Sequence, residues 1–140
     1  MNMIINEAHN GNVSFSCQFE AMNESAVKIT PAGVSITATG QALSLMAEHS
    51  GASLLYCDDC TVATKNENLV TVTMVNPSLN KTMPFSVSDV KNVISAHLYH
   101  GRSLHPHERF EIVKLEDDTQ NGVYNVEVPA HSIAVLRYLI

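Results

Sequence analysis

Leu69-Val70-Thr71-Val72-Thr73-Met74-Val75 is the stretch whose reading decides the fold. It alternates and is rich in β-branched residues, the pattern of a strand on a sheet. Val70, Val72 and Met74 are expected in the core. Asn76-Pro77 ends the strand, because proline cannot donate to a ladder. Working outward, Ser53–Cys57, Phe85–Val87, Val93–Tyr99, Phe110–Leu115, Val123–Val128 and Ser132–Leu139 read as further short strands. Turn signals separate them, such as Asn121-Gly122, which favours positive φ. Before them, Val13-Ser14-Phe15-Ser16-Cys17-Gln18-Phe19-Glu20 alternates without a break, which puts Val13, Phe15, Cys17 and Phe19 on a core face and the polar side in water. Short strands at regular spacing argue for an antiparallel sandwich or barrel.

One helix interrupts this series, placed near residues 34–49. Thr30 suits its N-cap and Pro31 its first position, although Gly33 and the β-branched Val34, Ile36 and Thr37 weaken those first turns. Val34, Ala38, Ala42, Leu45, Met46 and His49 recur at helical spacing as one apolar stripe, and Gly51 is a stop. The predicted core adds Leu45, Phe85, Val126, Val135 and Leu136 to the strand residues above.

The chain has 140 residues, 45% of them hydrophobic and 16% charged. The size scaling then buries roughly two-thirds of the unfolded surface, enough for one core and too little for two. Residues 1–140 therefore read as a single domain. A TIM-type barrel, which needs about 200 residues or more, is excluded. No apolar run approaches the roughly 20 residues of a membrane helix, and Met1–Glu7 lacks the build of a signal peptide. Eight basic residues are scattered among 14 acidic ones, a formal net charge of −6. That argues against a nucleic-acid partner, which calls for a clustered basic face. The three cysteines are an odd number, unlike a secreted disulfide scaffold. Together with the start of the chain, this favours the cytoplasm.

Candidate chemistry is sparse. Cys57-Asp58-Asp59-Cys60 is a lone C-x-x-C, which suits a redox pair or half of a four-ligand zinc site. A redox pair needs a low-pKa thiolate, usually at a helix N-terminus. Here the motif follows a strand and two aspartates raise the thiol pKa, so two cysteines at a strand end or turn are expected. Cys17 reads as a core residue. His97-x-x-His100 and His105-x-His107 form the richest cluster, with Glu108 and Glu111 close by. On a strand His97 and His100 point to opposite faces. No H-E-x-x-H spacing is present, so solvated loop histidines are expected. A metal site drawing on Cys57, Cys60, His105 and His107 is the alternative. Asn6-Glu7 matches the dipeptide that carries the general acid in many retaining glycosidases. Such enzymes need two carboxylates about 5 Å apart on rigid strands, whereas Glu7 lies near a terminus. No catalytic residue and no cofactor are expected. The chain has no Trp, and Tyr56, Tyr99, Tyr124 and Tyr138 all fall within predicted strands. That is poor material for the aromatic platform of a sugar-binding surface.

The order of segments carries a resemblance. Ile29-Thr30-Pro31-Ala32-Gly33, followed by a helix ending in Leu45-Met46-Ala47-Glu48-His49-Ser50-Gly51-Ala52-Ser53-Leu54-Leu55, resembles the last helix of a glycosidase barrel where it leads into an accessory β domain. Val70-Thr71-Val72-Thr73-Met74-Val75-Asn76-Pro77-Ser78-Leu79-Asn80-Lys81 looks like the entry of that domain. His105-Pro106-His107-Glu108-Arg109-Phe110-Glu111 is similar to a His/Asn-rich loop. Val128-Pro129-Ala130-His131-Ser132-Ile133-Ala134-Val135-Leu136-Arg137 resembles a terminal Pro-Pro-His-Ser strand. Together they resemble the C-terminal region of α-L-arabinofuranosidases of glycoside hydrolase family 51, over roughly residues 29–140.

The resemblance implies a mainly β chain folded as a jelly-roll-like antiparallel β-sandwich. Residues 1–52 would correspond to the end of the barrel and 53–140 to the sandwich. In such enzymes a catalytic barrel holds both catalytic glutamates and cleaves terminal arabinofuranosyl groups from arabinan or arabinoxylan with retention. No catalytic position carries over, because this chain lacks the segments that hold them. The loop at 105–111 also departs from the pattern: the usual Asn before Phe-Glu and the Pro after it are absent. The implied role is that of a non-catalytic accessory domain partnered with a catalytic barrel. Residues 1–28 either replace strands that the family supplies from before the barrel, or leave a sheet edge open to self-association. The alternatives are a stand-alone carbohydrate-binding module, or a small metal or redox protein using Cys57, Cys60 and the His97–His107 cluster.

Overall fold

The computed structural model describes Ile5, residues 26–102 and residues 108–140. The predicted strand at Val13–Glu20, with Phe15, Cys17 and Phe19, lies outside the described residues, as do Glu7, His105 and His107.

From residue 26 on, the described chain runs through a hairpin, β1 (Val27–Thr30) and β2 (Gly33–Ile36), and then helix α1 (Ala38–Ala47). This corrects the expected helix start. Thr30 does not cap a helix: its hydroxyl donates to Gly33 O inside the hairpin turn, at 3.3 Å. Gly33 adopts φ 138°, far from helical geometry, and the β-branched residues after it pair across the hairpin instead. Val34, placed on the helical stripe by its spacing, is 70% exposed on β2. The cap is Thr37, whose hydroxyl accepts from Gly40 N and donates to Ala26 O. A Cβ at Gly40 would come within 2.3 Å of Ala26 O, so glycine lets the hairpin cross the helix closely. The helix buries Gly40, Ala42 and Leu45.

Every element described after the helix is a strand. Six strands form an antiparallel sheet in the order β3 (Ser53–Cys57), β4 (Thr61–Asn66), β5 (Leu69–Asn76), β10 (Ser132–Leu139), β7 (Asn92–His100) and β8 (Glu111–Lys114). Two more, β6 (Met83–Val87) and β9 (Tyr124–Val128), pair as a second sheet. Each predicted strand of residues 53–139 is present. The sequence reading missed β4, because Ala63, Lys65 and Asn66 dilute its β-branched pattern. Hairpins to β3 and β5 hold it in place.

The period of two along each strand sorts the side chains of the large sheet between two layers. One face presents Ala63, Val70, Val72, Met74, Ala96, Ala134, Leu136 and Tyr138 to Val126, Val128 and Phe85 of the small sheet. The other presents Val62, Val75, Ile133 and Val135 to Ala42 and Leu45 of α1 and to Ile5. Of the predicted core, Leu45, Val70, Val72, Met74, Val126, Val135 and Leu136 are buried. Phe85 is half-buried against that core.

Candidate functional site

Cys57 ends β3 and Cys60 sits in the turn to β4, as the strand-end reading expects. Asp58 organises that turn. Its Oδ1 accepts from the backbone N–H of Cys60 at 2.8 Å and of Thr61 at 2.6 Å, and its Oδ2 accepts from the Tyr56 hydroxyl at 2.8 Å. Burial works against its charge, but the bonds from Cys60, Tyr56 and Thr61 outweigh burial and hold its carboxyl below the usual range. Burial, then the charges of Asp58 and Asp59, push both cysteine thiols up. A raised thiol pKa is the opposite of what a redox or nucleophilic pair needs.

The strand separates His97 from His100. His97 lies on the helix face of the large sheet, opposite Val135, and its Nδ1 is buried with no hydrogen-bond partner among the described residues. His100 points the other way, with Nδ1 3.0 Å from Ser132 Oγ. Among the described residues no three His, Cys, Asp or Glu side chains gather as metal ligands would. Glu108 and Arg109 are drawn to the helix start instead: Glu108 O accepts from Ala38 N at 2.7 Å and Arg109 Nε donates to Ile36 O.

The segments that carry the family resemblance make structural bonds. Asn76 is buried; its Nδ2 donates to Lys81 O and Val128 O, and its Oδ1 accepts from Ser78 N. It thereby fastens the loop after β5 to the end of β9. Ser132 Oγ donates to Ala130 O and accepts from Gly101 N. His131 takes φ 56°, and a Cβ on Gly101 would meet His131 O at 2.3 Å. The Pro-Ala-His-Ser stretch is thus a tight corner into β10.

Sequence reasoning missed a polar cluster under the helix. His49, assigned to the apolar stripe, bridges two threonines: Nδ1 lies 2.8 Å from Thr64 Oγ1 and Nε2 2.9 Å from Thr73 Oγ1. Beside it Glu48 pairs with Arg137, which also donates to Ser95 Oγ. Burial lowers the His49 pKa; Glu48 opposes that shift and Arg137 adds to it. The sequence signal for this cluster was a histidine on the apolar helical stripe and threonines on strands, which hydrophobicity alone does not single out.

A cleft of about 920 Å3 lies between β3 and β6. Ala63, Val72, Met74 and Tyr138 form its floor, Leu55 and Tyr56 one wall and Met83–Val87 the other, with Asp58, Asp59 and Asp89 on the rim. A β-bulge shapes the β3 wall. Leu54 pairs with Thr64 on the helix face, whereas Tyr56 pairs with Ala63 on the cleft face. The extra residue, Leu55, joins Tyr56 in the lining.

No protein-family model matches the chain, and no curated protein matches it. Solved structures do. A family 51 alpha-L-arabinofuranosidase from Bifidobacterium longum matches 99% of this chain with a TM-score of 0.72 at 14% identity. The catalytic domain of GH30 xylanase C from Talaromyces cellulolyticus matches 82% with a TM-score of 0.61 at 15% identity. A family 30 subfamily 8 xylanase from Clostridium acetobutylicum matches 76% with a TM-score of 0.54 at 13% identity. The chain spans 33%, 27% and 29% of those three proteins, respectively. At such identities the likeness is one of fold: a mainly β, antiparallel, sandwich-like unit also found within larger glycoside hydrolases.

Proposed function

We propose that this chain is the non-catalytic accessory β-sandwich domain of an arabinofuranosidase-like glycoside hydrolase, packed against the flank of a catalytic barrel. The parent reaction would be hydrolysis of terminal α-L-arabinofuranosyl groups in arabinan or arabinoxylan, placing the parent enzyme in L-arabinose metabolism. The observation that carries this reading is the match of nearly the whole chain to one third of a family 51 enzyme. The bonds of Asn76, Ser132 and Gly101 support it, since the motif residues do the work of a scaffold. The domain's task is to cover and stabilise a neighbour. The β1–β2 hairpin offers a flank for that contact, with Ile29, Val34 and Ile36 exposed. The test is turnover of a chromogenic α-L-arabinofuranoside by the purified chain. The expected result is the uncatalysed rate. Turnover that co-purifies with the chain and follows saturation kinetics would overturn the non-catalytic role.

A further inference from the structure

The cleft between β3 and β6 plays no part in that reading. Its geometry follows from unequal sheets. Strands lie about 4.8 Å apart, so six span about 24 Å and two only about 5 Å. Among the described residues the small sheet therefore does not reach over the β3–β4 side of the large one. Among the described residues β6 pairs with β9 alone. Pro84 has no N–H, so it fits the ladder at a position turned to the outer edge. Strand alternation then turns Ser86 N–H and the Pro84 and Ser86 carbonyls outward as well. The cleft thus joins an unused strand edge to an apolar wall, in which Leu55 and Tyr56 are more than half exposed.

Its two ends are acidic. Thr61, just after Asp58 and Asp59, pairs with Met74 at one end of the floor. Tyr138 pairs with Val70 at the other end. Asp89, two residues past the end of β6, lines the cleft together with Tyr138. Val70 and Met74 are four residues apart, about 13 Å along the strand. Among the described residues no lysine or arginine lines the cleft.

We propose that the cleft seats an extended segment of a partner polypeptide, aliphatic at alternate positions and basic at both ends, which adds a strand to the outer edge of β6. This is strand addition, in which main-chain bonds supply affinity and alternate side chains supply specificity. The rim carboxylates select the ends. A second copy of the chain cannot bring its own β6, because that strand already carries a six-stranded sheet on the same face and the two sheets would collide. Residues 6–25 of this chain hold Glu7, Glu20 and Glu24 and no lysine or arginine, the wrong charge for this rim. The proposal goes beyond the accessory-domain reading and stands whatever the neighbouring catalytic unit is.

The test uses the full chain and two fluorescent peptides of about eight residues, long enough to pass the five residues of β6. Both alternate Val and Thr; one ends in Lys on both sides and the other in Glu. Fluorescence anisotropy should show saturable binding of the Lys-ended peptide, at least about fivefold tighter than the Glu-ended one, with the gap closing as salt rises. Asp89→Asn should weaken it about two- to threefold. Leu55→Glu, at an exposed position that leaves the core intact, should weaken it about tenfold. Amide shifts on binding should cluster at β6 and the facing part of β3. Equal binding of the two peptides would overturn the proposal, and so would shifts elsewhere. Three other results would also overturn it: protected outward amides of β6 in the peptide-free chain, a dimer by light scattering that the peptide dissolves, or an arabinoxylan oligosaccharide that displaces the peptide.

Discussion

The two faces of the large sheet are built on different principles. Toward the small sheet, β5 presents Val70, Val72 and Met74, each no more than 2% exposed and surrounded by aliphatic and tyrosyl groups. Toward the helix the same strand presents Thr71, Thr73 and Val75, also buried, but Thr73 is bonded to His49 and Thr71 lies opposite Arg137, which pairs with Glu48. One face is held by burial of apolar area, the other by a mixture of burial and satisfied polar bonds. Burial is forgiving of orientation and worth about 25 cal/mol per Å2. Polar bonds add about 1 kcal/mol each but demand a partner. The apolar face should therefore dominate stability, and the helix face should dominate its pH dependence.

Four substitutions bear on that contrast, from severe to slight. Val72→Asp puts an unpaired charge at the centre of the apolar face and should prevent folding. Circular dichroism without a cooperative melt is expected, and a soluble, cooperatively melting variant would show that the apolar face does not dominate. Leu136→Ala, at a fully buried position of the same face, should cost about 2–5 kcal/mol by denaturant titration. His49→Ala should cost less, about 1–3 kcal/mol, by stranding the Thr64 and Thr73 hydroxyls; a loss larger than that of Leu136→Ala would reverse the ranking of the faces. Glu111→Gln removes an exposed pair with Arg102 and should change stability by at most about 1 kcal/mol.

The pH dependence has a definite sign. His49 is held neutral in the folded state, its pKa lowered from 6.5 chiefly by burial. Its contribution is complete above pH 6.5, where the unfolded chain is also neutral at this residue. It is lost as pH falls below that value, because the unfolded chain binds the proton first. The parent chain should lose stability on acidification through this window, and His49→Gln should show a shallower loss. Equal slopes for the two proteins would mean that His49 does not set the acid sensitivity of the helix face.

The same contrast explains what was legible in the sequence. The apolar positions of β5 and β9 announce a buried face through alternation, and Val70, Val72, Met74 and Val126 sit where that pattern puts them; β10 reads instead as a continuous apolar run, and its neighbours Val135 and Leu136 are both buried. Alternation says which residues share a face, but not whether a polar face meets water or a polar partner. The burial of Thr71 and Thr73 therefore follows only from the docking of α1. The β1–β2 hairpin was masked by Thr30-Pro31, a helix-start signal that the positive φ of Gly33 overrules. Strand β4 has a weak intrinsic pattern and is fixed by its two neighbours. At the candidate site, the opposition of His97 and His100 and the turn position of Cys60 follow from strand periodicity and local spacing. The cleft was not legible, because it arises from the unequal widths of two sheets and a bulge at Leu55.

The central claim, that this unit is an accessory domain of a larger hydrolase, is tested most directly by the mass of the natural polypeptide. Peptides from this chain would identify the band in source cells, and intact-mass spectrometry would weigh it. The account predicts a product about three times the length of this chain, in keeping with the 33% share it spans of the family 51 enzyme, with a catalytic barrel in the remainder. A product of 15.3 kDa would contradict it and leave a free-standing sandwich.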